Sequence, residues 1–121
     1  MAANAMDKAF ERVRRLALGT GLPEIAVSTS YGTPSLKVRD KSFVRMKDDE
    51  TLVLLCPLEQ KEFLVDVSPG IYFETDHYKG WPAVLIRLCA IADEELAQRL
   101  ADGWHHRAPK RLTASVKPAS A

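Results

Sequence analysis

The segment SLKVRDKSFVRMKDDETLVLLC, residues 35–56, sets polar interruptions between three runs of apolar and branched residues. In SLKVR, Leu36 and Val38 fall on one face and Lys37 and Arg39 on the other, the two-residue period of a half-buried strand. Asp40-Lys41 reads as a two-residue turn, and SFVRMK as the next strand, its alternation blurred because Phe43 and Val44 are adjacent. Asp48-Asp49-Glu50 supplies another polar turn, after which TLVLLC is apolar on both faces, as a central strand is. Upstream, EIAVSTS alternates, and YGTP separates it from SLKVR. Gly32 is permissive there, and Pro34 holds Thr33 extended. Connections this short join antiparallel neighbours, so the four strands form a meander.

Toward the N-terminus, Met6, Phe10, Val13 and Ala17 recur at helical spacing with Leu16 beside them, while Glu11, Arg12, Arg14 and Arg15 take the other face. This predicts an amphipathic helix over about residues 5–18, opened by a capping-box-like Asn4 and Asp7 and stopped by the glycines of GTG. GTG has neither the length nor the Lys-Ser/Thr of a phosphate loop. Downstream, LEQKEFLVDV fits two patterns. Leu58, Phe63, Leu64 and Val67 suit a helix, and Phe63, Val65 and Val67 a strand; Pro57 before it and Ser-Pro-Gly after it favour the helix. IYFET and PAVLIRL are two further strands, with Pro82 tolerated at a first position. Asp93 is placed to cap EELAQRLADGW, where Glu94 and Glu95 favour the helix N-terminus and Glu95 precedes Arg99 by one turn. Periodicity is lost from Arg107, so residues 107–121 read as a basic, disordered tail behind a single domain over 1–106.

Helix, four strands, helix, two strands, helix specifies an α+β fold. Its single antiparallel sheet is a four-stranded meander plus two further strands, with helices packed on one face and the other face partly open. The 121 residues suit one domain, and a composition 46% hydrophobic and 27% charged is that of a globule. With 17 basic and 16 acidic residues the net charge is +1, which excludes the strongly basic class of nucleic-acid proteins. Any electrostatic footprint must come from arrangement. Cys56 and Cys89 lie in apolar runs without framework spacing and are expected to be buried, reduced and unbridged. The charged N-terminal stretch lacks the apolar core of a signal peptide, and the apolar runs are too short to span a membrane. A cytoplasmic location is expected, and the sequence leaves the oligomeric state open.

Two constellations carry the candidate chemistry. FETDHYKGWPAVLIRL, residues 73–88, places His77, Tyr78, Lys79 and Trp81 between two strands. They form either a recognition cluster, with rings to stack on a planar ligand and Lys79 and His77 to meet an anion, or a cover over the sheet edge. Tyr31, Lys37, Arg39, Arg45 and Lys47 form either a basic stripe for a phosphate-bearing partner or an ordinary solvated strand surface. No metal site is expected: His105 and His106 diverge by about 100° on a helix, and His77 has only Asp76 beside it. No catalytic residue is expected, since no nucleophile elbow accompanies the available serines. Glu74 and Asp76 read as loop solubilisers. No cofactor is implied.

YGTPSLKVRDKSFVRM, VSPGIYFETDHYKGWPAVLIRL and DEELAQRLADGW together resemble the MmcQ/YjbR family over residues 5–106, with YGTP and HYKGWP the specific parts. The resemblance implies a double-wing α+β domain and a DNA-binding protein; it supplies no catalytic residue. Two functions stay open. One is a non-catalytic DNA-binding module using the basic sheet face and the His77–Trp81 loop. The other is a small-ligand or protein interaction module using the same aromatics without nucleic acid. DNA binding requires Lys37, Arg39, Arg45 and Lys79 on one continuous surface.

Overall fold

The fold is that of a computed structural model, which describes residues 4–116. The alternating segments become β1 (Ile25–Ser30), β2 (Thr33–Val38), β3 (Lys41–Met46) and β4 (Thr51–Leu55), each antiparallel to its neighbour. β5 (Tyr72–Phe73) and β6 (Ala83–Arg87) complete a six-stranded sheet in the order β1-β2-β3-β4-β6-β5. The fold is therefore α+β on a single antiparallel sheet.

Local chemistry explains the departures from simple alternation. Leu36 opposes Val44 but Lys37 opposes Ser42, so Phe43 has no partner of its own. That is a β-bulge, and it lets the adjacent Phe43 and Val44 both enter the core. The β2–β3 turn is Arg39–Asp40 rather than Asp40–Lys41, because Lys41 already pairs with Val38. Arg39 consequently leaves the strand face. Its backbone is left-handed, with φ 58°, and its guanidinium bridges Glu24, also left-handed, at 2.9 Å.

Two helices cover one face: α1 (Ala5–Gly19) and α3 (Asp93–Arg107). Asn4 Oδ1 accepts from the Asp7 amide at 2.8 Å and so opens α1. Phe10 and Val13 of α1 meet Leu96, Leu100 and Trp104 of α3 over Leu36, Val44, Leu52, Leu54 and Ile86 of the sheet. Gly103 permits the closest approach, since a Cβ there would lie 2.7 Å from Leu54 Cδ1. Arg12 locks the pair: Nε donates to Asp93 Oδ1 at 2.8 Å, and the two Nη atoms donate to the Leu88 and Ile91 carbonyls at 2.7 and 2.6 Å. Asp93 is thus committed to Arg12 rather than to capping, and Ala92 occupies the N-cap. Glu95 likewise accepts from the Tyr72 hydroxyl, while Arg99 pairs with Asp102 at 3.0 Å.

The ambiguous segment is α2 (Leu58–Val67), a helix whose buried residues are Leu64 and Lys61. Two expectations need correction. Residues 107–116 are not disordered: Lys110–Ala114 form a short helix, α4, anchored by buried Leu112. Residues 117–121 of the expected tail lie outside the described residues. Of the two thiols, Cys56 is buried but Cys89 is exposed, and both are free. A single 3-10 turn over Leu88–Ala90 ends β6, sending Leu88 inward and Cys89 outward. Among the described residues, no helix is long and apolar enough to cross a membrane.

Candidate functional site

On the face opposite α1 and α3, a second apolar cluster forms from Val53, Leu85, Ala83 and Tyr78, with Leu55 and Phe73 against it. Its cover is the connection from β5 to β6. Asp76–Tyr78 make one 3-10 turn, and Tyr78–Trp81 then close a β-turn through the Trp81 amide and the Tyr78 carbonyl at 3.0 Å. Lys79 at φ −61°, ψ 127° and Gly80 at φ 78° give this turn type II geometry, which explains the glycine of KGW. The turn buries Tyr78 and leaves Lys79 and Trp81 exposed, the latter at 62%.

At the other side stands the β1–β2 hairpin. Tyr31 and Gly32 both have positive φ, 54° and 78°, as the two central residues of a type I′ turn do. Glycine adopts that backbone freely; for tyrosine it costs about 1–2 kcal/mol. The strained position projects the Tyr31 ring into solvent at 90% exposure. Arg45 of β3 joins the two sides. Its guanidinium lies 5.1 Å from the Tyr31 ring centroid, and its Nη2 donates to the Tyr78 hydroxyl.

Between hairpin, sheet and turn runs a cleft of about 740 Å³ whose lining is mostly apolar. Tyr31, Tyr78 and Trp81 supply rings, Val53, Leu55 and Ala83 the floor, and Arg45, Arg107 and His77, with Ser30 and Ser42, the polar groups. Among the described residues, no aspartate or glutamate lines it. Among the described residues neither Arg45 nor Arg107 is ion-paired; Arg107 Nε donates to the Ser42 carbonyl at 3.2 Å. Two guanidiniums without a counter-charge, in a crevice floored by apolar side chains, can hold an anion whose body is planar or apolar.

The structure thus joins parts of both sequence constellations. Tyr31 and Arg45 of the basic stripe meet His77, Tyr78 and Trp81 of the aromatic loop. Lys37, Arg39, Lys47 and Lys79 do not line the cleft; Lys37 is half-buried and Arg39 is neutralised by Glu24. Sequence reasoning misses Arg107, because helical periodicity is lost from that position and places it in the tail. It also misses Lys61, which is discernible as a lysine on the inner stripe of α2, three residues before Leu64. Among the described residues, no cluster of three His, Cys, Asp or Glu side chains could hold a metal ion.

These features define an α+β domain with an aromatic, arginine-bearing cleft on the face its long helices leave open. The chain belongs to the YjbR family, whose profile matches residues 20–106. Over 49 residues it is 43% identical to uncharacterized proteins of Mycobacterium bovis and Mycobacterium tuberculosis, covering 40% of this chain and 38% of each relative. The match therefore spans under two fifths of those relatives' length. No solved structure matches the chain.

Proposed function

We propose that the protein is a non-catalytic binding module whose cleft takes a small ligand with a planar apolar body and an anionic group. The observation that carries this reading is Arg45 against the Tyr31 ring, with no ion-pair partner and no carboxylate lining the cleft among the described residues. The volume of about 740 Å³ suits it, falling within the ~300–1,000 Å³ of small-molecule sites. Backbone strain at Tyr31 supports it too, since strained residues cluster where function maintains them. Two free thiols among the described residues fit a reducing, cytoplasmic setting.

DNA binding is the second reading, with one observation in its favour: two exposed rings beside an arginine are also what a single-stranded base and phosphate require. Duplex binding is less well supported, because Lys37, Arg39 and Lys79 lie outside the cleft and Arg39 is paired.

An NMR titration with 1-naphthyl phosphate, following the Trp81 indole N–H, tests the proposal. Saturable shifts are expected, 2-naphthol should bind about tenfold more weakly, and Arg45→Gln should erase that difference, as the loss of one charge-assisted contact does. No saturable binding, or equal binding by Arg45→Gln, overturns it. Duplex and single-stranded oligonucleotides at two salt concentrations, run in parallel, separate the readings: salt-dependent binding of either oligonucleotide, tighter than that of 1-naphthyl phosphate, moves the function to DNA.

A further inference from the structure

We infer that Lys61 is the positioning residue of this cleft, its buried ammonium holding the turn that carries Tyr78 and Trp81; the inference rests on the ligand reading above. Lys61 projects from α2 and is only 2% exposed. Its Nζ donates to the Tyr78 carbonyl at 2.6 Å and to the Trp81 carbonyl at 2.9 Å, and lies 3.3 Å from Glu74 Oε1. An ammonium has three N–H bonds; here two are donated to carbonyls of one loop, and the carboxylate of Glu74 in the same loop balances its charge. A charge removed from water is retained only where its donors are satisfied. Each of the two carbonyls also accepts a main-chain amide, Trp81 N–H on Tyr78 and Ala83 N–H on Trp81, and the ammonium ties these two turn bonds together.

The placement reaches the cleft through Tyr78, which is held at both ends. Lys61 fixes its carbonyl, and its hydroxyl accepts from Arg45, whose guanidinium lies over Tyr31. Lys61 also fixes Trp81 through the same turn, while touching no ligand itself, as it is absent from the cleft lining. The connection from α2 to the cleft is thus one buried cation acting on main chain. The cover of the second apolar cluster, otherwise thin, is pre-organised by it.

Lys61→Met tests this, since it keeps a straight apolar stem and removes all three donors. Amide hydrogen exchange at Trp81 and Ala83, both hydrogen-bonded within the turn region, should accelerate at least tenfold. Amides of α1 should be unaffected, and 1-naphthyl phosphate should bind about tenfold more weakly. Unchanged exchange at Trp81 and Ala83 overturns the inference, as does a uniform acceleration through α1, which would mark Lys61 as a general stabiliser. The exchange measurement needs no ligand. If wild-type protein binds no 1-naphthyl phosphate, the ligand reading fails while the clasp is still judged on exchange. If Lys61→Met does not fold, reductive methylation of wild-type protein decides. Lys61 must stay unmodified while exposed Lys79 reacts, and comparable rates at the two overturn the clasp.

Discussion

The two faces of the sheet are sealed in different ways. One is covered by α1 and α3, whose Phe10, Val13, Leu96, Leu100 and Trp104 meet the strands in a continuous apolar layer. Among the described residues, the other is covered by the β5–β6 connection, which contributes one buried ring, Tyr78, to a cluster of four buried residues. On the helical face, apolar area supplies the cohesion. On the loop face, polar contacts do so: Lys61 on two carbonyls and Arg45 on a hydroxyl. A cover held by a few directed bonds leaves space beside it, and that space is the cleft. The difference teaches that the candidate site lies where the hydrophobic seal is thinnest.

Truncations on the two faces sharpen this contrast most. Leu54→Ala removes a fully buried side chain packed under Gly103, where helix and sheet cannot readily close the gap, and is expected to cost ~4–5 kcal/mol. Leu85 is equally buried, but a loop that can settle covers it, and Leu85→Ala is expected to cost ~2–3 kcal/mol. Urea denaturation of both variants is the measurement, and equal costs would erase the distinction between the faces.

Thiol labelling probes the same contrast by rate. Burial pushes the Cys56 thiol up to about 11, so its reactive thiolate is scarce at neutral pH as well as shielded. Cys89 is exposed and should react with a maleimide in the native protein, whereas Cys56 should react only on unfolding. Rapid native labelling of Cys56 would mean that the main core opens far more readily than its packing implies.

The smallest effects belong to the outer side of the loop. His77→Ala and Lys79→Ala should each change stability by no more than about 0.5 kcal/mol, because both side chains are exposed. Lys79→Ala should also leave 1-naphthyl phosphate affinity within roughly twofold, since Lys79 is outside the cleft. If the protein instead binds duplex DNA through Lys79, the same substitution should shrink the logarithmic salt slope by ~1.

Much of this architecture was legible in the chain. The blurred alternation at Phe43-Val44 was a true signal, the trace of a bulge, although only the register shift opposite Leu36 and Lys37 shows it. Tyr31 and the HYKGW loop were singled out, but as parts of two separate constellations. Arg39 was misplaced by one turn residue, which removed it from the face it was expected to share with Lys37. Asp93 was read as a cap because its local setting fits one; Arg12, distant in sequence, claims its carboxylate.

By itself, the sequence determined the six strands, the meander of the first four, and the helices α1, α2 and α3. Alternation, capping and glycine's access to positive φ are properties of adjacent residues. Only the tertiary structure decided which charges remain free and which rings meet. Arg45 finds Tyr78 across a separation of 33 residues and Arg107 finds Ser42 across 65. Such contacts are set by sheet order and twist, which bring distant segments together through the burial of other residues. No local pattern records whether an arginine so placed will meet a carboxylate, as Arg39 does, or an aromatic ring, as Arg45 does.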